Sequence, residues 1–240
     1  MLRTPRLVVW FVALAAASLG IATLFVVGPG RLGPAAAAAG PGGAPVVVLA
    51  AGDSITAASY PTHLRALFDA AGVKVRVVNA GVKGHTSGEY LAYLKQSDIL
   101  RRTAPDVVCL QLGTNDVRID GDHTETTRFV RQMETILDLM ATQRSARGRP
   151  PLVFLSTIPP VVVTVPRHFA ASSMRRVTEE INPAIRRLAG DRGLALVDTY
   201  DLFVRHPEWL PEIHPTEDGY HAMARQWFEA LRPHVVRLAS

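Results

Sequence analysis

Five short apolar runs, separated by stretches with helical spacing, constrain this chain more than any other feature of it. Val46–Ala51 is continuously apolar, as expected of a strand buried on both faces. Tyr60–Ala71 then has helical spacing through Leu64, Leu67 and Phe68, and Gly72 closes it. Val73–Asn79 predicts a second strand, Glu89–Leu100 a helix closed before Pro105, and Asp106–Leu112 a third strand. A longer helix over Thr126–Gln143 carries Phe129, Val130, Met133, Ile136, Leu137 and Met140 on one side. Leu152–Thr157 predicts a fourth strand, and Ser172–Ala189 a helix bent or divided at Pro183. Leu194–Asp198 predicts a short fifth strand, followed by a last helix from about Asp218 to Leu231. Strands alternating with helices predict an α/β fold, a three-layer α/β/α sandwich around a central parallel sheet. Ligands of such sheets bind at the carboxyl ends of the strands. Asp53–Ser54, Asn79–Gly81 and Gly113–Asn115 all stand where a strand runs out.

Ahead of this pattern, Arg3 and Arg6 precede an uncharged run of 21 residues, Leu7 to Val27. That length suffices to cross a bilayer as a helix, whereas the apolar region of a cleaved signal peptide is usually roughly 7–15 residues. We therefore expect an N-terminal hydrophobic helix over residues 1–28, serving as membrane anchor or signal segment, with the uncleaved anchor preferred. A flexible Gly/Pro/Ala linker over 29–44 and a single folded domain over 45–240 should come after it. The arginines on the N-terminal flank orient that end toward the cytoplasm and the domain away from it. The expected location is the cell membrane with the domain outside, or secretion.

The 240 residues carry a formal charge of +5, nearly all of the basic excess being arginine. These arginines are scattered, without a basic stripe interleaved with aromatics, so nucleic acid is not an expected partner. The lone cysteine, Cys109, lies in the apolar run "DVVCLQL" and reads as a small buried hydrophobe. No G-x-S-x-G elbow, P-loop or H-E-x-x-H pattern occurs. His214 and His221 lack a third ligand at zinc spacing, so neither a metal nor an organic cofactor is expected.

The strand ends suggest acyl transfer. Ser54 needs a base to become a nucleophile, and histidine is the usual base near neutral pH. Attack on an ester also needs pre-aimed donors for the oxyanion. Backbone N–H groups in "NAGVKG" and the amide of Asn115 in "LGTND" are donors of those kinds.

Four blocks in order make the chain resemble the SGNH/GDSL hydrolase superfamily: "GDSIT" (Gly52–Thr56), "NAGVKGHTS", "LGTND" (Leu112–Asp116) and "IHPTEDGY" (Ile213–Tyr220). The resemblance implies the family's flavodoxin-like fold, with Ser54 as nucleophile and His214 as general base. It also implies an oxyanion hole of the Ser54 N–H, the Gly81 N–H and the Asn115 side chain, with Asp53 ordering the turn. The family usually places an acid three residues before its histidine; here that position is Pro211, and Glu212 stands two before. Glu212 is the candidate acid, with a Ser–His dyad as the alternative. Asp198 and Asp201 are weighed as substitutes and assigned to the end of the fifth strand and the cap of the next element.

The expected function is an extracytoplasmic serine esterase for short-chain, chiefly acetyl, esters of small molecules or glycans. Two alternatives stay open. The apolar segment Ile158–Met174 would also suit the longer acyl chains of a lysophospholipase or thioesterase, and the displaced acid would suit a non-catalytic glycan- or lipid-binding domain.

An uncleaved anchor predicts that the full-length protein fractionates with membranes and keeps its original N-terminus by mass spectrometry. A mature N-terminus between Ala35 and Ala44 would refute it.

Overall fold

All five apolar runs become strands of one parallel sheet. β1 (Val46–Gly52), β2 (Val75–Gly81), β3 (Val107–Gln111), β4 (Leu152–Ser156) and β5 (Ala195–Val197) lie in the order β2-β1-β3-β4-β5. The structure, a computed structural model, describes residues 43–120, 123–161 and 168–240. The expected N-terminal helix, the linker before Gly43 and the centre of the 158–174 segment lie outside the described residues. Among the described residues no helix is long and apolar enough to cross a membrane.

Strand alternation sends neighbouring residues to opposite faces, which explains why β1 and β3 are apolar throughout. Leu49, Ala51, Val108 and Leu110 point to one face, Val48, Ala50, Val107 and Cys109 to the other. The helices divide accordingly: α1 (Ser54–Ala57), α2 (Tyr60–Ala70), α3 (Ser87–Gln96), α4 (Ile99–Thr103), α5 (Thr126–Ala141), α6 (Ala171–Arg176), α7 (Asn182–Asp191), α8 (Thr199–Arg205) and α9 (Glu217–Ala239). Tyr90 of α3, Met133 of α5 and Ile185 of α7 cover the first face. Phe68 of α2, Phe203 of α8 and Trp227 of α9 cover the second. The result is the three-layer sandwich.

Three helices differ from the sequence reading. The stretch 89–100 breaks at Ser97 and Asp98. Its first half starts earlier because Thr86 and Glu89 form a reciprocal capping box. The 172–189 stretch is divided by a π-helical turn, Val177–Ile181, and Pro183 falls in the first turn of α7. There its missing N–H is tolerated. α9 runs on to Ala239 through Pro233, because Leu231 and Val235 on either side are fully buried.

The register levels the functional ends of the strands. Gly52 pairs with Gly81 on one side and Gln111 on the other. At the opposite end, buried Asp106 accepts the Val47 N–H at 2.9 Å and pairs with Arg147 at 2.6 Å. Gly52 leaves no room for a side chain: a Cβ there would stand 2.2 Å from the Gln111 carbonyl and 2.4 Å from Thr56 Oγ1.

Gly52→Ala is therefore expected to destabilise the fold by about 1–3 kcal/mol, the usual range for overpacking. Urea unfolding measures this, and a loss under about 0.5 kcal/mol, the scale of neutral surface changes, would overturn the steric account.

Candidate active site

The turn after β1 carries Ser54. Asp53 caps α1, its Oδ1 accepting the Ile55 N–H at 3.0 Å. Asp53 thus orders the turn. It is fully buried, and burial lifts its carboxyl to about 6, against the pull of the Ile55 N–H and Thr114. Ser54 occupies the first position of α1, where its N–H has no intrahelical acceptor.

His214 arrives from the loop before α9. Ile213 packs on the core and Pro215 is buried. Thr216 donates its N–H to the Trp209 carbonyl at 2.9 Å and caps α9 by accepting the Gly219 N–H at 3.2 Å. Held on both sides, His214 Nε2 lies 2.8 Å from Ser54 Oγ, across 160 residues of sequence.

Asn115 stands in a 3₁₀ turn after β3 and donates one amide hydrogen to the His85 carbonyl at 3.0 Å. A primary amide has a second hydrogen to offer. The turn is braced from below: Asp116 accepts the Ser87 N–H at 2.9 Å and the Ser87 hydroxyl. Burial raises the Asp116 carboxyl, opposed by those same bonds. Arg176 donates to the Asp116 carbonyl at 2.8 Å and to the Thr124 carbonyl.

Gly81 departs from its expected role as an oxyanion donor. Its N–H is taken by Asn79 Oδ1 at 2.9 Å, and a Cβ there would stand 2.3 Å from the Ala57 nitrogen. This glycine lets β2 pack on the backbone of α1, and it is not among the residues that line the cavity beside Ser54. The glycine that lines the cavity with Ser54, Asn115 and His214 is Gly84, at φ +79°. Among the described residues its N–H meets no acceptor. Sequence reading missed it, although Thr86 and Glu89 spell a capping box that places Gly84 in the loop just before a helix.

Glu212 also departs from expectation. It is exposed and makes no hydrogen bond to the His214 ring. It sits in the bend formed by Pro211–His214, one position off the expected one, and acts on the ring through its charge alone. Among the described residues nothing accepts from His214 Nδ1. Asp198 is occupied with Arg186 at 2.8 Å and with the Thr157 hydroxyl at 2.9 Å, and Asp201 with Arg205 at 2.8 Å.

Ser54 and His214 open into a cavity of about 420 Å³. Phe169, Ile213 and Ala58 give it apolar walls; Lys83, Arg118 and His168 give it a basic edge. Arg118 and His168 both pair with Asp120, Arg118 at 2.6 Å. The His214 ring is held below its ordinary value of 6.5, first by burial and then by the Lys83 ammonium, while the Glu212 carboxylate opposes both. Burial and Lys83 both favour the neutral ring, the form that can accept a proton, over the imidazolium.

The model of the GDSL-like Lipase/Acylhydrolase family matches residues 50–222. A multidomain esterase of Ruminococcus flavefaciens is 24% identical over 147 residues, covering 59% of this chain. The matched region spans only 17% of that relative's length. A lipase/acylhydrolase from Enterococcus faecalis has the same fold, with a TM-score of 0.65 at 20% identity over 79% of this chain and 96% of that one. A carbohydrate acetylesterase family member from Sinorhizobium meliloti gives 0.66 at 17% identity, over 79% and 99%. An acetylxylan esterase from Geobacillus stearothermophilus gives 0.62 at 19% identity, over 78% and 94%.

The charges around His214 predict opposite shifts for two variants. Lys83→Met removes a cation that disfavours imidazolium, so the His214 pKa rises; Glu212→Gln removes an anion that favours it, so the pKa falls. NMR titration of the His214 ring measures both, and shifts of the same sign would contradict this electrostatic picture.

Proposed function

Because the chain belongs to the GDSL-like lipase/acylhydrolase family, one of carboxylic ester hydrolases, we propose that it is a serine esterase working through a Ser54–His214 dyad. The observation that carries this reading is the 2.8 Å contact between Ser54 Oγ and His214 Nε2, both of which line the cavity. It favours a working site over a non-catalytic binding domain.

In the proposed reaction the Ser54 hydroxyl donates to neutral Nε2 and attacks the ester carbonyl as its proton passes to the ring. The oxyanion is met by the Ser54 N–H, the Gly84 N–H and the second amide hydrogen of Asn115. Losing one such donor typically costs about 2.7–4 kcal/mol of barrier. The imidazolium returns its proton to the departing alcohol and leaves an acyl-serine. Water, deprotonated by the same nitrogen, then releases the acid and restores the hydroxyl. Burial and Lys83, which lower the ring's proton affinity, keep the base form populated. Glu212 tunes this charge balance from a distance and does not orient the ring.

A cavity of about 420 Å³ suits a short acyl group with part of its alcohol. Acetyl esters are the proposed substrates, and carbohydrate the proposed alcohol. The likeness to an acetylxylan esterase and to a carbohydrate acetylesterase family member supports that choice. The basic flank and the 21 uncharged residues after it support an extracytoplasmic, membrane-tethered location.

Full-length protein should hydrolyse p-nitrophenyl acetate faster than the decanoate, and Ser54→Ala should lose at least about 10³-fold in kcat/KM. Glu212→Gln should stay within about threefold of wild type, since loss of a working orienting acid costs about 10⁴. Equal rates for wild type and Ser54→Ala would sink the mechanism, and faster decanoate turnover would shift the substrate to longer acyl chains.

A further inference from the structure

Elsewhere on the surface, α2 and the start of α9 bring together three side chains of the types that ligate metals. The ligand atoms of His63, Glu217 and His221 all lie within 4.8 Å of one another. His63 Nε2 is 2.6 Å from Glu217 Oε1, and the His63 and His221 rings stack with centroids 3.7 Å apart. Glu217 and His221 are four apart on α9 and so share one face of that helix. His63 is half-buried on α2, whose Tyr60 and Phe68 rings pack on Trp227 and Phe228 of α9.

We propose that His63, Glu217 and His221 bind a divalent transition-metal ion of the Zn²⁺ class. Two imidazoles and one carboxylate form a common three-ligand set for zinc, with water in the fourth position. Zinc–ligand bonds of about 2.0–2.2 Å bring tetrahedral donor atoms to about 3.3–3.6 Å apart. The group reaches that spacing by rotating the exposed Glu217 and His221 side chains about a half-buried His63. A second carboxylate partner is already in place: the Ser59 hydroxyl donates to Glu217 Oε2 at 3.0 Å. Such outer contacts orient metal-binding carboxylates.

The ion is a positioning element that touches no reacting atom. Ser59 lies five residues after Ser54, and Glu217 three after His214. Metal across α2 and α9 would therefore fasten the serine-bearing segment to the histidine-bearing one. The site stands independently of the esterase reading, because metal binding is measurable without substrate.

The test uses the full chain, stripped with EDTA and titrated calorimetrically with ZnCl₂. One ion per chain is expected, with a thermal midpoint rise of roughly 5 °C or more at a hundredfold excess over Kd. Co²⁺ at the same site should show the intense visible absorption of four-coordinate cobalt. His221→Ala, at an exposed position, should bind at least tenfold more weakly and lose the midpoint rise. Glu217→Gln is the second variant, and metal-free midpoints report whether each variant folds. His214→Ala should bind zinc like wild type. Undiminished affinity in both His221→Ala and Glu217→Gln, or binding lost with His214→Ala alone, would overturn the proposal.

Discussion

The contact between Ser54 Oγ and His214 Nε2 is where the rest of this structure converges. Its two atoms are 160 residues apart in sequence, and no local preference brings them within 2.8 Å. One partner is delivered by the sheet. β1 ends level with β2 and β3 because Gly52 sits opposite Gly81 and Gln111 in register. The other is delivered by a helix. α9 is seated through Trp227 and Phe228 on α2, and its capped first turn fixes the loop that carries His214. A shift of either element by an ångström would exceed what a hydrogen bond tolerates.

Around that contact the protein buries polar groups that an ordinary core excludes. Asp53 and Asp116 are both fully covered, and for both, burial is the largest influence on the carboxyl. Burying a carboxylate is unfavourable unless hydrogen bonds satisfy it. Each holds a turn: Asp116 the turn of Asn115 through Ser87, and Asp53 the turn of Ser54 through one oxygen on the Ile55 N–H, its other oxygen being buried without a hydrogen-bond partner among the described residues. In the proposed reaction these turns would hold the oxyanion donors in place beforehand, the arrangement through which oxyanion sites act.

Among the described residues no acid is hydrogen-bonded to His214, so the charge of its ring is set differently from that of a triad histidine. In a triad a carboxylate fixes the ring's tautomer and stabilises the imidazolium. Here burial and Lys83 push against imidazolium while Glu212 pulls toward it from a distance. The ring is positioned by its backbone, between half-buried Ile213 on one side and buried Pro215 and the cap at Thr216 on the other.

The sequence by itself determined the layers and most of the site. Runs such as Val46–Ala51 are apolar at every position, which only a strand covered on both faces requires, so the parallel sheet was legible. That Ser54, His214 and Asn115 would meet at one cavity was legible because motif spacing put them at strand ends or before a helix. Gly81 and Glu212 were not. Two glycines in "NAGVKGHTS" are equally plausible donors until Asn79 is seen to occupy the Gly81 N–H, leaving Gly84 to line the cavity. Likewise an acid two positions before a histidine reads as a partner until the bend of Pro211–His214 leaves it exposed and unbonded. Covalent order and apolar periodicity are properties of the chain. Which polar atom meets an N–H, and which residues share a cavity, depends on how the backbone turns in three dimensions, as Asn79 capping the Gly81 N–H and the bend at Pro211–His214 show, and only the folded structure decides it.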